Sequence, residues 1–423
     1  MGRTAYLGLG PPDWNNDSVR RVVVFVALVF AVLAAVAPVA RAAQGVSLHT
    51  RLGRALAVPN VSSSSSAAIA IDLSTGKIVF QRNPNLALVP ASNEKLAITY
   101  AALAAFGPSF RIPTDLLGQG DLREGVWHGD LVLKGYGDPT LTTDDLRHLA
   151  REIRAAGIRR VTGRVVGDES YFDSRRIGPG WKAWYYINES PPLSALAVDR
   201  GRYRGLFAPD PALAAATILR RELKRQHVRV AGTAVTGRAQ VDAAWPLATT
   251  LSPPLHAILR FMNRESDNFT SELLLKQLGT LEGFRGTTAR GGRIVRRTLG
   301  QDGIPIVGVR IADGSGLSGS NRLTAKALIT LLQIAWDDLE LRGPFIDSLA
   351  VAGRNGTLRD RMRRWPAAGR VLAKTGTTSV ASALSGFVGR FAFVVLHNGS
   401  PVSHFWARRA QDRFAAVLAS PYV

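Results

Sequence analysis

The sequence predicts a mixed fold of helices and strands built in more than one unit, on three observations. Strand-like runs at 67–71 and 77–81 flank a turn and lead, through a loop ending at Pro90, into an Ala- and Leu-rich helix at 96–106. From about Pro113 the texture changes to short strands, tight glycine turns such as Lys134-Gly135-Tyr136-Gly137-Asp138, and an amphipathic helix at 143–156, the mark of a separate α/β unit. The chain then closes on strand-like runs at 371–377, 383–387 and 390–396 and a helix at 406–418. With 423 residues, 46% of them hydrophobic, it has length for two or three domains and apolar matter for a real core.

The remaining elements follow in order. Residues 1–17 are polar; Arg20-Arg21 precede a nearly continuous apolar run at 22–40, and Ala40-Arg41-Ala42-Ala43 follows. These are the three parts of a secretory signal, and 19 residues is also close to the ~20 that span a bilayer. Residues 1–43 are therefore expected to be a signal peptide or membrane anchor that puts the rest outside the cytoplasmic membrane. The serine run at 62–66 makes 44–66 a flexible leader. Beyond the helix at 143–156, the chain offers a strand at 161–167, an aromatic loop at 179–192 and a helix at 212–226. Residues 245–254, with three prolines, look like a return crossing between domains, and helices at 255–262, 269–278 and 324–335 come after it.

Composition removes several kinds of chemistry. Without cysteine there is no disulfide framework, thiolate metal site or thiol nucleophile, and the seven histidines stand in no triad-like or metal-ligand spacing. No metal and no cofactor are expected. A net charge of +21 points to an anionic cell-wall or membrane surface. Nucleic acid is not indicated, because the arginines are scattered with no basic-aromatic stripe or zinc-finger spacing.

The chemistry begins at Pro90-Ala91-Ser92-Asn93-Glu94-Lys95. On a helix, positions three apart share a face, so Ser92 and Lys95 touch. A serine hydroxyl needs a base to become a nucleophile, and a lysine held neutral can be one where an arginine cannot. Only eight of the 53 basic residues are lysines, which makes Lys95 mildly informative, although in isolation a solvated helix charge is the plainer account of it. Ser74 and Lys77 repeat the spacing on a turn, where the geometry fails. Ser266-Asp267-Asn268 reads by itself as a helix N-cap. Lys374-Thr375-Gly376-Thr377 brings a cation, two hydroxyls and a glycine that lets a ligand approach the backbone, a carboxylate site if it is not an ordinary turn. Ser315, in Asp313-Gly314-Ser315-Gly316-Leu317-Ser318, lacks the strand and helix of a nucleophile elbow.

Ser-x-x-Lys, then Ser-x-Asn, then Lys-Thr-Gly in that order is a joint signal far stronger than its parts. The chain resembles the penicillin-binding D-alanyl-D-alanine carboxypeptidases and endopeptidases of serine peptidase family S13, the low-molecular-mass class C penicillin-binding proteins. Lys134–Thr140 and Asp313–Ser318 resemble segments of that family as well. The resemblance implies an α+β fold: a transpeptidase or β-lactamase-like domain, an antiparallel sheet flanked by helices, at 67–113 and 244–423, interrupted by an inserted α/β domain at 114–243. The family's third small domain is expected to be absent, since Asp199 passes almost directly to Ala212, and Gly319 stands where relatives often carry an arginine.

By the same resemblance, Ser92 attacks the penultimate D-alanine carbonyl of peptidoglycan stem peptides, Lys95 takes its proton and Ser266 relays protons to the leaving amine. Asn268 holds the substrate amide. Lys374, Thr375 and Thr377 hold the terminal carboxylate beside Gly376, with the amides of Ser92 and Thr377 as oxyanion hole and the positive Lys374 helping to depress the pKa of Lys95. The implied activity is a D-alanyl-D-alanine carboxypeptidase inhibited by β-lactam antibiotics; the alternative is a DD-endopeptidase that cuts cross-links. A serine β-lactamase fits less well, because no Glu-x-x-Leu-Asn loop lies between Asn268 and Lys374.

Overall fold

Among the described residues two large sheets and one two-stranded sheet share the chain, which passes between the large ones twice at one neck. The Ile112 amide donates to Ser252 Oγ at 2.9 Å and the Ser252 amide to the Ile112 carbonyl at 2.9 Å, so the outgoing and returning segments lie side by side. The computed structural model describes residues 1, 46–240 and 244–421. The expected signal or anchor segment thus falls outside the described residues, Met1 apart. Residues Arg51–Val423 form one compact unit; of Met1–Thr50 the described residues are Met1 and 46–50. Among the described residues no helix is long and apolar enough to cross a membrane.

Before the neck come α1 (Leu48–Ala55), β1 (Ser66–Asp72), β2 (Lys77–Arg82) and α2 (Glu94–Phe106). Beyond it lie β3 (Pro113–Arg123), β4 (Val126–Gly135), α3 (Thr143–Ala155), β5 (Arg160–Val161), β6 (Val165–Asp168), the hairpin β7 (Arg202–Tyr203) and β8 (Leu206–Phe207), α4 (Pro211–Arg225), β9 (Arg229–Val230), β10 (Ala234–Thr236) and β11 (Ala244–Leu251). The return brings α5 (Leu255–Arg264), α6 (Asn268–Leu278), α7 (Thr288–Gln301), α8 (Ala325–Asp337), α9 (Leu339–Asp347), β12 (Ala350–Val351), β13 (Val371–Thr378), β14 (Ala381–Val388), β15 (Phe391–Asn398) and α10 (His404–Leu418).

The first sheet is antiparallel throughout, in the order β12-β13-β14-β15-β1-β2. β1 and β14 are buried along their whole length, as strands covered on both faces must be. α8 and α10 pack on this sheet, and α2 lies enclosed among α5, α6, α7, α8 and α9 with every residue from Glu94 to Leu103 buried, which makes it the central helix and explains why it is apolar all round. The second sheet has β10-β6-β4-β3-β11 as its path and mixes parallel and antiparallel pairs. α3 and α4 pack on it around Leu131, Leu146 and Leu219.

Two local readings need correction. The proline-rich return crossing is itself a strand: β11 pairs with β3 at the sheet edge, where Pro246 costs no central ladder bond, and the register shifts just past it. The expected strand at 161–167 is divided into β5 and β6, which both pair with β4 but leave Thr162–Arg164 between them. The N-cap expected at Ser266-Asp267-Asn268 is present, and Asp267 makes it, accepting from the Thr270 amide at 2.8 Å.

Candidate active site

The turn that carries Ser92 is made by strain and close packing. Residues Ala91–Asn93 form a 3₁₀ turn that runs into α2, and Ala91 takes φ +48° to enter it. Two glycines clamp this turn. A Cβ on Gly316, whose φ is +85°, would stand 2.0 Å from the Ala91 carbonyl oxygen, and one on Gly376 would stand 2.8 Å from that of Pro90. Gly376 is thus required by the approach of β13 to the protein's own backbone, not only by a ligand. Asn93 Nδ2 donates to the Lys374 carbonyl at 3.0 Å and completes the seam.

All three motifs meet at this turn. Lys95 Nζ lies 3.2 Å from Ser92 Oγ, 2.9 Å from Asn268 Oδ1 and 2.5 Å from the Ser315 carbonyl. Three acceptors match the three hydrogens of an ammonium, so losing one proton leaves two donors in place and a lone pair for the Ser92 hydroxyl. Lys374 Nζ donates to Ser266 Oγ at 2.8 Å and to the Thr375 carbonyl at 2.9 Å. Ser266 itself sits at φ +58°, a strained conformation of the kind that clusters at functional sites. Thr375 Oγ1 donates to Thr357 Oγ1 at 2.8 Å, and Thr377 is exposed.

Both lysines are fully buried. Burial lowers Lys95 to about 8, against the pull of Asp313, Glu272, Asp267 and Glu94. Burial, and then the positive Lys95, push Lys374 well below the usual lysine range. Lys374 was expected to help depress Lys95; burial is the first cause for each, and the repulsion between them falls on Lys374.

Sequence reasoning missed the carboxylates behind Lys95. Asp313 accepts from the Gly316 and Ser318 amides, Asn321 Nδ2 and Trp181 Nε1 at 2.6–2.8 Å, which shapes the loop that presents the Ser315 carbonyl. Glu272 Oε1 accepts the Gly314 and Ser315 amides, and burial beside Asp313 pushes its carboxyl up to about 7. Glu94 is fully buried, neither of its oxygens has a partner, and burial with Asp313 and Glu272 nearby raises it well above the carboxylate range. The Asp-Gly-Ser-Gly run hinted at the first of these; nothing local announced that the two glutamates are buried.

The region beyond the neck reaches this site at three points. Trp181 holds Asp313, the Glu189 carbonyl accepts from Asn268 Nδ2 at 2.9 Å, and Arg200 forms a two-pronged ion pair with Asp267 at 2.6 and 3.3 Å. The rejected serines are engaged elsewhere: Ser74 donates to Asp72 Oδ1 at 2.5 Å, and Ser315 Oγ to Asp313 Oδ2 at 3.2 Å.

Comparison with known proteins places this arrangement. A DacB carboxypeptidase of Mycolicibacterium smegmatis is 30% identical, over 88% of this chain and 84% of that protein. A D-alanyl-D-alanine carboxypeptidase of Actinomadura sp. is 29% identical, over 81% of this chain and 79% of its own. Penicillin binding protein 4 of Haemophilus influenzae shares the fold with a TM-score of 0.75 at 24% identity, across 87% of this chain and 98% of that one. The D-Ala-D-Ala carboxypeptidase 3 (S13) family model matches residues 48–207 and 204–420, so the chain belongs to that family.

Proposed function

We propose that this serine D-alanyl-D-alanine carboxypeptidase works with Ser92 as nucleophile and Lys95 as its base. The observation that carries the assignment is the 3.2 Å contact of a buried lysine with the Ser92 hydroxyl. Ser92 attacks the penultimate D-alanine carbonyl while Lys95 accepts its proton. The amides of Ser92 and Thr377 stabilise the oxyanion, an effect of ~3 kcal/mol per donor in such sites. Ser266, hydrogen-bonded to Lys374, passes a proton to the departing D-alanine amine, and water then releases the peptide. Asn268 orients the substrate amide; Lys374, Thr375 and Thr377, beside Gly376, hold the free carboxylate.

The two buried lysines suggest how base and cation are told apart. An arriving carboxylate favours the charged form of Lys374, and that charge in turn favours neutral Lys95. The base is then freed when substrate is in place.

Residues 1–43 act as signal or anchor, 44–66 as leader, and the exported enzyme meets peptidoglycan, with its basic surface turned to an anionic wall or membrane. Residues 67–113 and 244–423 form the peptidase domain around the inserted 114–243. Labelling with fluorescent penicillin and mapping the adduct tests the core of this reading: the label falls on Ser92 and is lost in Ser92→Ala. An adduct on Ser74 or Ser315 would overturn it. A pentapeptide and a cross-linked muropeptide supplied in parallel separate carboxypeptidase from endopeptidase action.

A further inference from the structure

Away from the cleft, the C-terminal part of the chain gathers arginine around an exposed tryptophan. Residues 354–370 carry six arginines and one acid, Asp360, and Trp365 among them is 70% exposed. It borders a groove of about 550 Å³ lined by Pro366, Ala416 and Val417 together with Arg54 and Arg413. Arg413, Ala416 and Val417 lie at the i, i+3, i+4 spacing of one face of α10. The acid of that helix, Asp412, is taken by Arg361 at 2.7 Å, so it does not neutralise the rim. Arg370 Nη1 donates to the Ala419 carbonyl at 2.6 Å, which with the Arg361 pair holds the arginine-rich segment against α10.

Tryptophan beside an apolar groove, ringed by arginine, fits the layer of a bilayer where headgroups meet acyl chains. The N-terminal sequence points the same way. No acid occurs between Asp17 and Asp72, and Arg41, Arg51 and Arg54 follow the apolar run at 22–40. Arg51, which also lines the groove, is eleven residues beyond Ala40, and that length of chain reaches at most ~38 Å. An exported chain held by the apolar run therefore carries this groove close to the membrane.

We propose that the face formed by Trp365, Arg54, Arg413 and the groove between them docks on an anionic phospholipid surface. It rests on the export reading, and the test separates the two. The chain has no cysteine, so Trp365→Cys and, as control, Val307→Cys, a position 87% exposed, each give the full chain one site for a polarity-sensitive fluorophore. Each protein is mixed with phosphatidylglycerol–phosphatidylcholine vesicles, floated, and read for emission and for quenching by nitroxide lipid. The expected result is a blue-shifted, quenched probe at 365 and an aqueous one at 307. Quenching at 365 should fall by roughly fivefold for each of Arg54→Gln and Arg413→Gln, and likewise without phosphatidylglycerol, while penicillin labelling is unchanged. A floated protein with an aqueous probe at 365 overturns the docking face and leaves the anchor standing; failure to float overturns both. A probe shielded by soluble poly(glycerol phosphate) and not by vesicles would overturn the lipid assignment in favour of a wall polymer.

Discussion

If Lys95 is the base, the acylation rate must follow its neutral form, and the structure sets where that happens. With its pKa lowered to about 8, chiefly by burial, Lys95 is the charged form at low pH and gains basicity as pH rises. The neutral fraction is about 0.09 at pH 7 and about 0.91 at pH 9, so kcat/KM for penicillin acylation should climb about tenfold across that interval. The apparent inflection belongs to Lys95 and Lys374 together, since the two lysines interact. The assay is the pseudo-first-order rate of fluorescent-penicillin labelling from pH 6 to 10, with a folding check at each end. Lys95→Arg, charged throughout, should be slower by at least ~10² and flat with pH. A flat wild-type profile, an inflection near the ordinary lysine value, or a Lys95→Arg protein that labels at the native rate would each refute the base assignment.

Gly316→Ala should slow labelling by more than ~10², because its Cβ would meet the Ala91 carbonyl at 2.0 Å and push the nucleophile turn aside; native labelling with unchanged Tm would contradict the clamp. Glu94→Gln tests the buried acid. The folded-state pKa of Glu94 is raised, so its contribution to stability is present at low pH and lost as pH rises through that value. Tm of Glu94→Gln should therefore gain on wild type between pH 5 and pH 9, and an offset that does not change with pH would be the wrong result.

Much of this site was legible because its parts are local. Ser92 and Lys95 need only one helical turn to meet, and the hairpin before them announces itself by two strand-like runs on either side of the turn at Asp72–Gly76. The helices α7 and α9 were not foreseen, and α7 has a clear reason: Gly291 and Gly292 lower its helical propensity. A Cβ on Gly291 would lie 1.9 Å from the Leu275 carbonyl, so the glycine serves the contact with α6 at the expense of local preference. β11 was hidden by Pro246, tolerable only because the strand lies at an edge, which is a tertiary fact. Glu94 and Glu272 carry no mark of burial in the sequence; they look like any helix acids until the sheet and the 313–318 loop close over them.

Why the insertion belongs between the first and second motifs follows from the same contacts. Lys95 is poised by acceptors from two other segments, Asn268 and the Ser315 carbonyl, and each is steadied from beyond the neck. Arg200 grips Asp267, the residue between Ser266 and Asn268; the Glu189 carbonyl takes one Asn268 hydrogen; Trp181 fixes the Asp313 turn that carries Ser315. The neck at Ile112 and Ser252 lets the inserted region leave and return without disturbing α2, while these three tethers reach back over the cleft. A displacement of the inserted region would therefore shift two of the three acceptors around Lys95 while leaving the Ser92–Lys95 pair on α2 intact. The surroundings that set the proton affinity of Lys95 are thus held partly by a region that contributes none of the three motifs.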